Sequence, residues 1–498
     1  MIRWVVLAIL LVASSGARAD ERVETRIDFQ FRTSEISNLV YELDCLASSI
    51  HCSRDVFVDQ WKKLGWSKAD DDALAVWGKT SSSYVRSIDV GDDASETLPA
   101  LPDEPRDLQL EDKLRLAAFG ATDPTSYRSR LALVVTPVDA ERLAGIVELL
   151  LPRFHPFWAA QHARLEQQAR ELGALLHRPA LAELCARAAH FYGAAVPSPY
   201  TIAVNLVALP KNETHHSKGT QLERDAVIET EEGEHAEDRV GVVLHELFHH
   251  FYTLSTAQAR DGLVTRFAQS PDAAALVTYG VLNEALATAL GNGLVERALR
   301  TAESYRAYLG KTRSFYDDAA IDLVAKGILP ALEKRLATSG TLYDDDFVAE
   351  YVGLAHRSLG PVADRPAEGL RTMVAALLDP SALEAFHRLR DRLGGGSVWS
   401  CVGNDARCRQ RLTDHAQASG VVFIPATWVP AQLEAWAPLL GRAELSRIAA
   451  RAKVGTPFVA AVHRTPKSTV YVFVAATPQA FSALVDRFLA ATTRFDLL

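Results

Sequence analysis

The stretch RVGVVLHELFHHFY (Arg239–Tyr252) sets three histidines and one glutamate among apolar neighbours. Read as a helix, it brings His245 and His249 side by side, because residues four apart differ by about 40° and one turn of rise. Two neutral imidazoles so placed can reach one tetrahedral zinc ion. Glu246 follows the first of them and points toward the same place. There it can take a proton from a water that the ion has made acidic. A cation also accounts for polar groups on a helix otherwise lined by Val242, Val243, Leu244, Leu247, Phe248 and Phe251. His250 lies about 100° around from His249 and about 140° from His245, so it faces away from their shared site. The plain alternative is a helix that happens to carry histidines.

A catalytic zinc ion takes three protein ligands and leaves a fourth position for water. An H-E-x-x-H-x-x-G-x-x-H pattern would need Gly at 252 and His at 255, where this chain has Tyr252 and Ser255. The stretch VLNEALATALGNG (281–293) offers a better third ligand. It reads as a helix stopped by Gly291-Asn292-Gly293, with Glu284 among Leu282, Ala285, Leu286 and Ala289. A carboxylate on such a helix is costly unless it is paired or bound to metal. Asp261 and Asp272 remain alternatives. His215 and His216, in the polar segment KNETHHSKGT, read as a solvated turn.

The two motifs together resemble the gluzincins, the thermolysin-like branch of the zincin metallopeptidases. Those enzymes pair an H-E-x-x-H helix with a glutamate on a later helix, often within N-E-x-x, and Asn283-Glu284-Ala285-Leu286-Ala287 matches that form. The resemblance implies one zinc ion per chain held by His245, His249 and Glu284, with Glu246 as general base and acid in peptide hydrolysis. It also implies a sheet edge that pairs with an extended peptide substrate just before the active helix, where ERDAVIET (223–230) stands. Members often place an aspartate four residues after the ligand glutamate to support a histidine; here that residue is Thr288. The class often stabilises the developing oxyanion with a downstream Tyr or His. Tyr316, Tyr343, Tyr351 and His356 all lie beyond the ligand, and the sequence does not choose among them.

Around this centre, 498 residues are too many for one core. Hydrophobic residues at 48% and charged residues at 23% are ordinary for a globular chain. A net charge of -9 without a basic cluster argues against a nucleic-acid partner. Residues 1–19 read as a signal peptide: Arg3, the apolar run Trp4–Ala13, then Ala17-Arg18-Ala19 as an A-x-A cleavage site. That run is well short of the ~20 residues a spanning helix needs, so no stable membrane insertion is expected after cleavage. The expected location is exported, periplasmic or secreted. Cys45 with Cys52 and Cys401 with Cys408 are each seven apart and fit local disulfides in an oxidising compartment. Cys185 is left over as a buried thiol.

The expected fold is α+β and predominantly helical. Residues 20–125 form a mainly helical N-terminal region, 126–393 a zincin-like catalytic domain, and 397–498 a small α/β C-terminal domain beyond the GGGS boundary (394–397). Strands are expected at TRIDFQF, LALVVTP (131–137), YTIAVNLVALP (200–210), ERDAVIET, VVFIP, PFVAAVHR and STVYVFVAAT, with a last helix at PQAFSALVDRFLAATT. The stretch 90–107, acidic and proline-bearing, reads as an exposed loop. Two other functions fit the same residues: a binding protein with a zincin-like fold, and a metallohydrolase that cleaves a non-peptide bond. An intact Glu246 argues against the first, since a structural zinc site needs no base and closes its fourth position with protein.

Overall fold

A computed structural model of the chain describes residues 26–47, 52–84, 101–102, 110–212, 218–394, 398–403, 406–428 and 433–492. The signal peptide, the His215–His216 turn and most of the 90–107 loop lie outside these residues. The protein is mixed α/β, rich in helix, with two small mixed sheets.

The first sheet has the order β1-β2-β4-β3. Strand β1 (Ile27–Arg32) runs parallel to β2 (Tyr200–Leu209), which runs parallel to β4 (Asp225–Glu231). Strand β3 (Gly219–Leu222) closes the edge antiparallel to β4. The expected edge strand at 223–230 is therefore an inner one, because β3 covers it; the free edge belongs to residues 219–222. One helix, Pro137–Leu176, packs across β1, β2 and the histidine-bearing helix Glu237–Thr253.

The segment 131–137 is not a strand. Asp123 opens a helix over Pro124–Leu131 with a capping box, and Thr136 caps the next at Pro137. The residues between are spent in turn hydrogen bonds such as Val134 N to Leu131 O at 2.8 Å. The loop expected at 90–107 is also not exposed throughout. Leu101 is buried, and Tyr279 Oη donates to the carbonyl of Pro102 at 3.4 Å.

One continuous apolar core runs from Ile36 to Ala363, so the N-terminal helices and the histidine helix share an interior. Asn38 shows how. Its amide nitrogen donates to Leu206 O at 3.1 Å, and its carbonyl accepts from Ala208 N at 2.8 Å, both on β2.

The second sheet has the order β6-β5-β7-β9-β8. It consists of β5 (Met373–Leu377), β6 (Val398–Val402), β7 (Ser419–Pro425), β8 (Phe458–His463) and β9 (Thr469–Ala475), with only β8 antiparallel. Helices Leu383–Leu393 and Pro478–Leu489 cover one face. Since β5 lies inside this sheet, between β6 and β7, the C-terminal unit starts near Ala367, well before the expected boundary at 394–397. Both local cysteine pairs are at disulfide distance, with Cα separations of 5.8 Å and 5.7 Å. Cys185 is free and buried, and burial pushes its thiol up to about 12.

Candidate metal centre

The histidine helix is aimed by its approach. Arg164, from the Pro137–Leu176 helix, donates to the carbonyls of Thr230 and Glu231 at 3.2 Å and 3.1 Å, fixing the end of β4. Glu234 then accepts from Glu231 N at 2.7 Å and pairs with Arg239. Glu237 and Asp238 complement the positive end of the helix.

The second carrier is Leu282–Thr288, which holds Glu284. It does not stop at Gly291-Asn292-Gly293. The backbone widens into a π-helical turn over Ala289–Val295 and resumes as Glu296–Leu299. The glycines serve close packing rather than termination: Gly291 meets the backbone of Gly241 and His245 on the facing helix. Such π segments are frequent at functional sites.

This packing brings His245, His249 and Glu284 together, with one donor atom from each lying within 4.8 Å of the others. The two Nε2 atoms are 2.9 Å apart, and each is 3.5 Å from Glu284 Oε2. That oxygen is buried and makes no hydrogen bond, an arrangement that a shared cation satisfies. The electrostatics agree. Burial would raise Glu284, but His249 and His245 hold its carboxyl well below the usual range. Burial would lower His249, but Glu284, backed by Glu246, pushes it up to about 9. The three residues thus fit a metal ion among them by donor type, distance and charge.

Asn283 Oδ1 lies 3.1 Å from His249 Nδ1, which turns Nε2 toward Glu284. The support that Thr288 lacks thus comes from the residue just before Glu284. Thr288 Oγ1 is buried and unbonded, as is His245 Nδ1. Glu246 is buried beside the histidines, and the edge strand runs so close over it that a Cβ on Gly219 would collide with its carboxylate.

Of the downstream candidates, Tyr316 alone meets the cluster. Its ring stacks on His245 with centroids 5.9 Å apart. Glu284 first, then burial, drives its hydroxyl far above the ordinary tyrosine range. Tyr351 donates instead to Thr278 O at 3.0 Å, His356 pairs with Asp272 at 3.0 Å, and Tyr343 packs against Gly193. Asp272 is engaged there, and neither it nor Asp261 joins the cluster. His250 faces away, with Nε2 2.7 Å from Tyr200 Oη, and burial with the nearby Arg224 pulls it down to about 4. Asn283 and Gly219 carried signals visible only afterwards: an amide next to the candidate ligand Glu284, and a glycine opening the short edge strand β3.

No known protein family, curated protein or solved structure matches this chain. Among the described residues no helix is long and apolar enough to cross a membrane.

Proposed function

We propose that this chain is an exported, zinc-dependent metallopeptidase of gluzincin type, with one zinc ion held by His245, His249 and Glu284. The observation that carries the reading is the convergence of these three donors beside a buried Glu246, directly under the edge of a sheet. A purely structural site has no use for a base or for an open strand edge.

When bound, zinc supplies Lewis acidity toward a scissile carbonyl and toward water. The chain supplies the rest. Strand β3 offers the extended backbone against which a peptide can lie antiparallel. Glu246 takes the proton from the attacking water at its carboxylate and gives it to the departing amine nitrogen. Tyr316 stands where its hydroxyl can donate to the negative charge that grows on the carbonyl oxygen. Asn283 holds the His249 ring in one orientation throughout. The two disulfide pairs fit an oxidising, extracytoplasmic location.

The test is zinc content and peptidase activity of wild type, Glu284→Ala and Glu246→Gln. About one zinc per chain is expected in wild type, much weaker retention in Glu284→Ala, and a zinc-loaded but inactive Glu246→Gln. Full peptidase activity in a zinc-loaded Glu246→Gln protein would refute the mechanism. A folded wild type that takes up no zinc would refute the site.

A further inference from the structure

Tyr316 sits in a segment without regular structure, between helices that end at Leu309 and begin at Ala319. Upstream of it the backbone is pinned three times. Asp322 accepts the amides of Arg313 and Phe315 at 3.2 Å and 2.9 Å, and Asn292 Nδ2 donates to Phe315 O at 2.6 Å. Downstream the anchor is Asp318, whose two oxygens divide their work. Oδ1 caps the next helix, accepting from Ala320 N at 2.9 Å and Ile321 N at 3.1 Å. Oδ2 accepts from Arg371 Nη2 at 2.8 Å.

Arg371 belongs to the C-terminal unit, two residues before β5. Its side chain is 3% exposed and pairs also with Glu368 at 2.6 Å, while Nη1 reaches the carbonyls of Leu393 and Gly394. Its stem lies against Gly280, where an added Cβ would come within 2.7 Å of Arg371 Cβ. Gly280 ends the short helix that leads into the one carrying Glu284. Arg371 therefore packs by its Cβ against the segment that leads to Glu284 and pairs by its buried guanidinium with the segment bearing Tyr316.

We propose that Arg371 is a positioning residue for Tyr316, acting through Asp318, so that the C-terminal unit helps set the geometry of the metal centre. The use made of Tyr316 rests on the metallopeptidase reading; the positioning itself does not. The planar fork of arginine suits this duty, because it fixes direction as well as distance, and a buried partner left unpaired would shift.

The experiment places 3-fluorotyrosine at position 316 of the full, metal-free chain and records its fluorine NMR signal. Asp318→Asn is the main variant, since asparagine still caps a helix but no longer carries the charge that Arg371 needs. It and Arg371→Met should each shift and broaden the resonance, and the double variant should do no more than the larger single one. Arg388→Met, which breaks an exposed pair with Asp486, should leave it in place. In the zinc-loaded protein without the fluorine label, Asp318→Asn should lower kcat roughly 10- to 100-fold with KM nearly unchanged. An unmoved resonance in Asp318→Asn, or an equal shift in Arg388→Met, overturns the proposal. A resonance that moves in a protein without peptidase activity upholds the positioning and refutes the peptidase reading instead.

Discussion

Gly291 and His245 touch backbone to backbone: a Cβ built on Gly291 would stand 2.9 Å from His245 Cβ and 3.0 Å from its Cα. The same Cβ would lie 2.9 Å from Gly241 O, so the facing helix has no flexible atom that could yield. Gly291→Ala should therefore push the two helices apart and move Glu284 away from the histidines. Zinc affinity is expected to fall about 10- to 100-fold, with a lower melting temperature, in competition titrations against a chelator. Unchanged affinity would mean that this approach does not set the site.

Asn283→Ala separates support from ligation. The three metal donors stay, but His249 Nδ1 loses its partner at 3.1 Å. Zinc should bind about 10- to 100-fold more weakly while thermal stability of the metal-free protein changes little. A loss of stability without a loss of affinity would assign Asn283 to the fold alone.

Gly219→Ala tests whether the β3 edge lies over Glu246, the base in the proposed mechanism. The new methyl group has no place except that of the Glu246 carboxylate, while none of the three donors is touched. Hydrolysis should fall by at least about 100-fold, the scale of lost general-base catalysis, with zinc content intact. Retained activity would show that Glu246 works from a different position.

Glu42 gives a pH dependence far from the centre. It is fully buried on helix Glu35–Leu46 and accepts from Trp61 Nε1 at 2.7 Å and from Gln60 Nε2 at 3.0 Å. Burial outweighs these hydrogen bonds and pushes its carboxyl up to about 8. A raised folded value means that the stabilising contribution is complete below the unfolded value, near 4.5, and is lost as pH rises through about 8. Glu42→Gln should abolish that slope, because glutamine does not titrate, and Gln60 can turn its unbonded Oε1 toward the new amide. At pH 8 the variant should be the more stable by up to about 4 kcal/mol. Parallel urea curves for the two proteins from pH 5 to 8 would remove Glu42 as the source.

Much of the centre was legible in the sequence because it is local. His245, Glu246 and His249 lie within little more than one helical turn, and Glu284 is conspicuous as an acid on an apolar helix. What the sequence hid depends on packing. Gly291-Asn292-Gly293 looks like a helix stop by propensity, yet contact with Gly241 and His245 makes glycine necessary inside a helix that continues. The apolar run 131–137 looks like a strand, but the caps at Asp123 and Thr136 leave it no room, and Leu133 ends 87% exposed. Strand β3 is too short to show a period. Tyr316 could be told from Tyr343 and Tyr351 only by where a loop without periodicity leads. The C-terminal unit was cut too late because β5, an inner strand of its sheet, is separated from its next strand by the helix Leu383–Leu393.

The pairing of β1 with β2 has a last consequence for how such a protein could be kept silent. Ile27–Arg32 is a member of the sheet that ends over Glu246, and the helix after it is fastened to β2 through Asn38. Severing the chain between Tyr84 and Leu110 would therefore leave a nicked molecule still held together, not two separate pieces. The front of this chain supplies the far edge of the sheet whose other edge, β3, lies over Glu246. A zymogen that matures by shedding such a piece would lose the scaffold along with it.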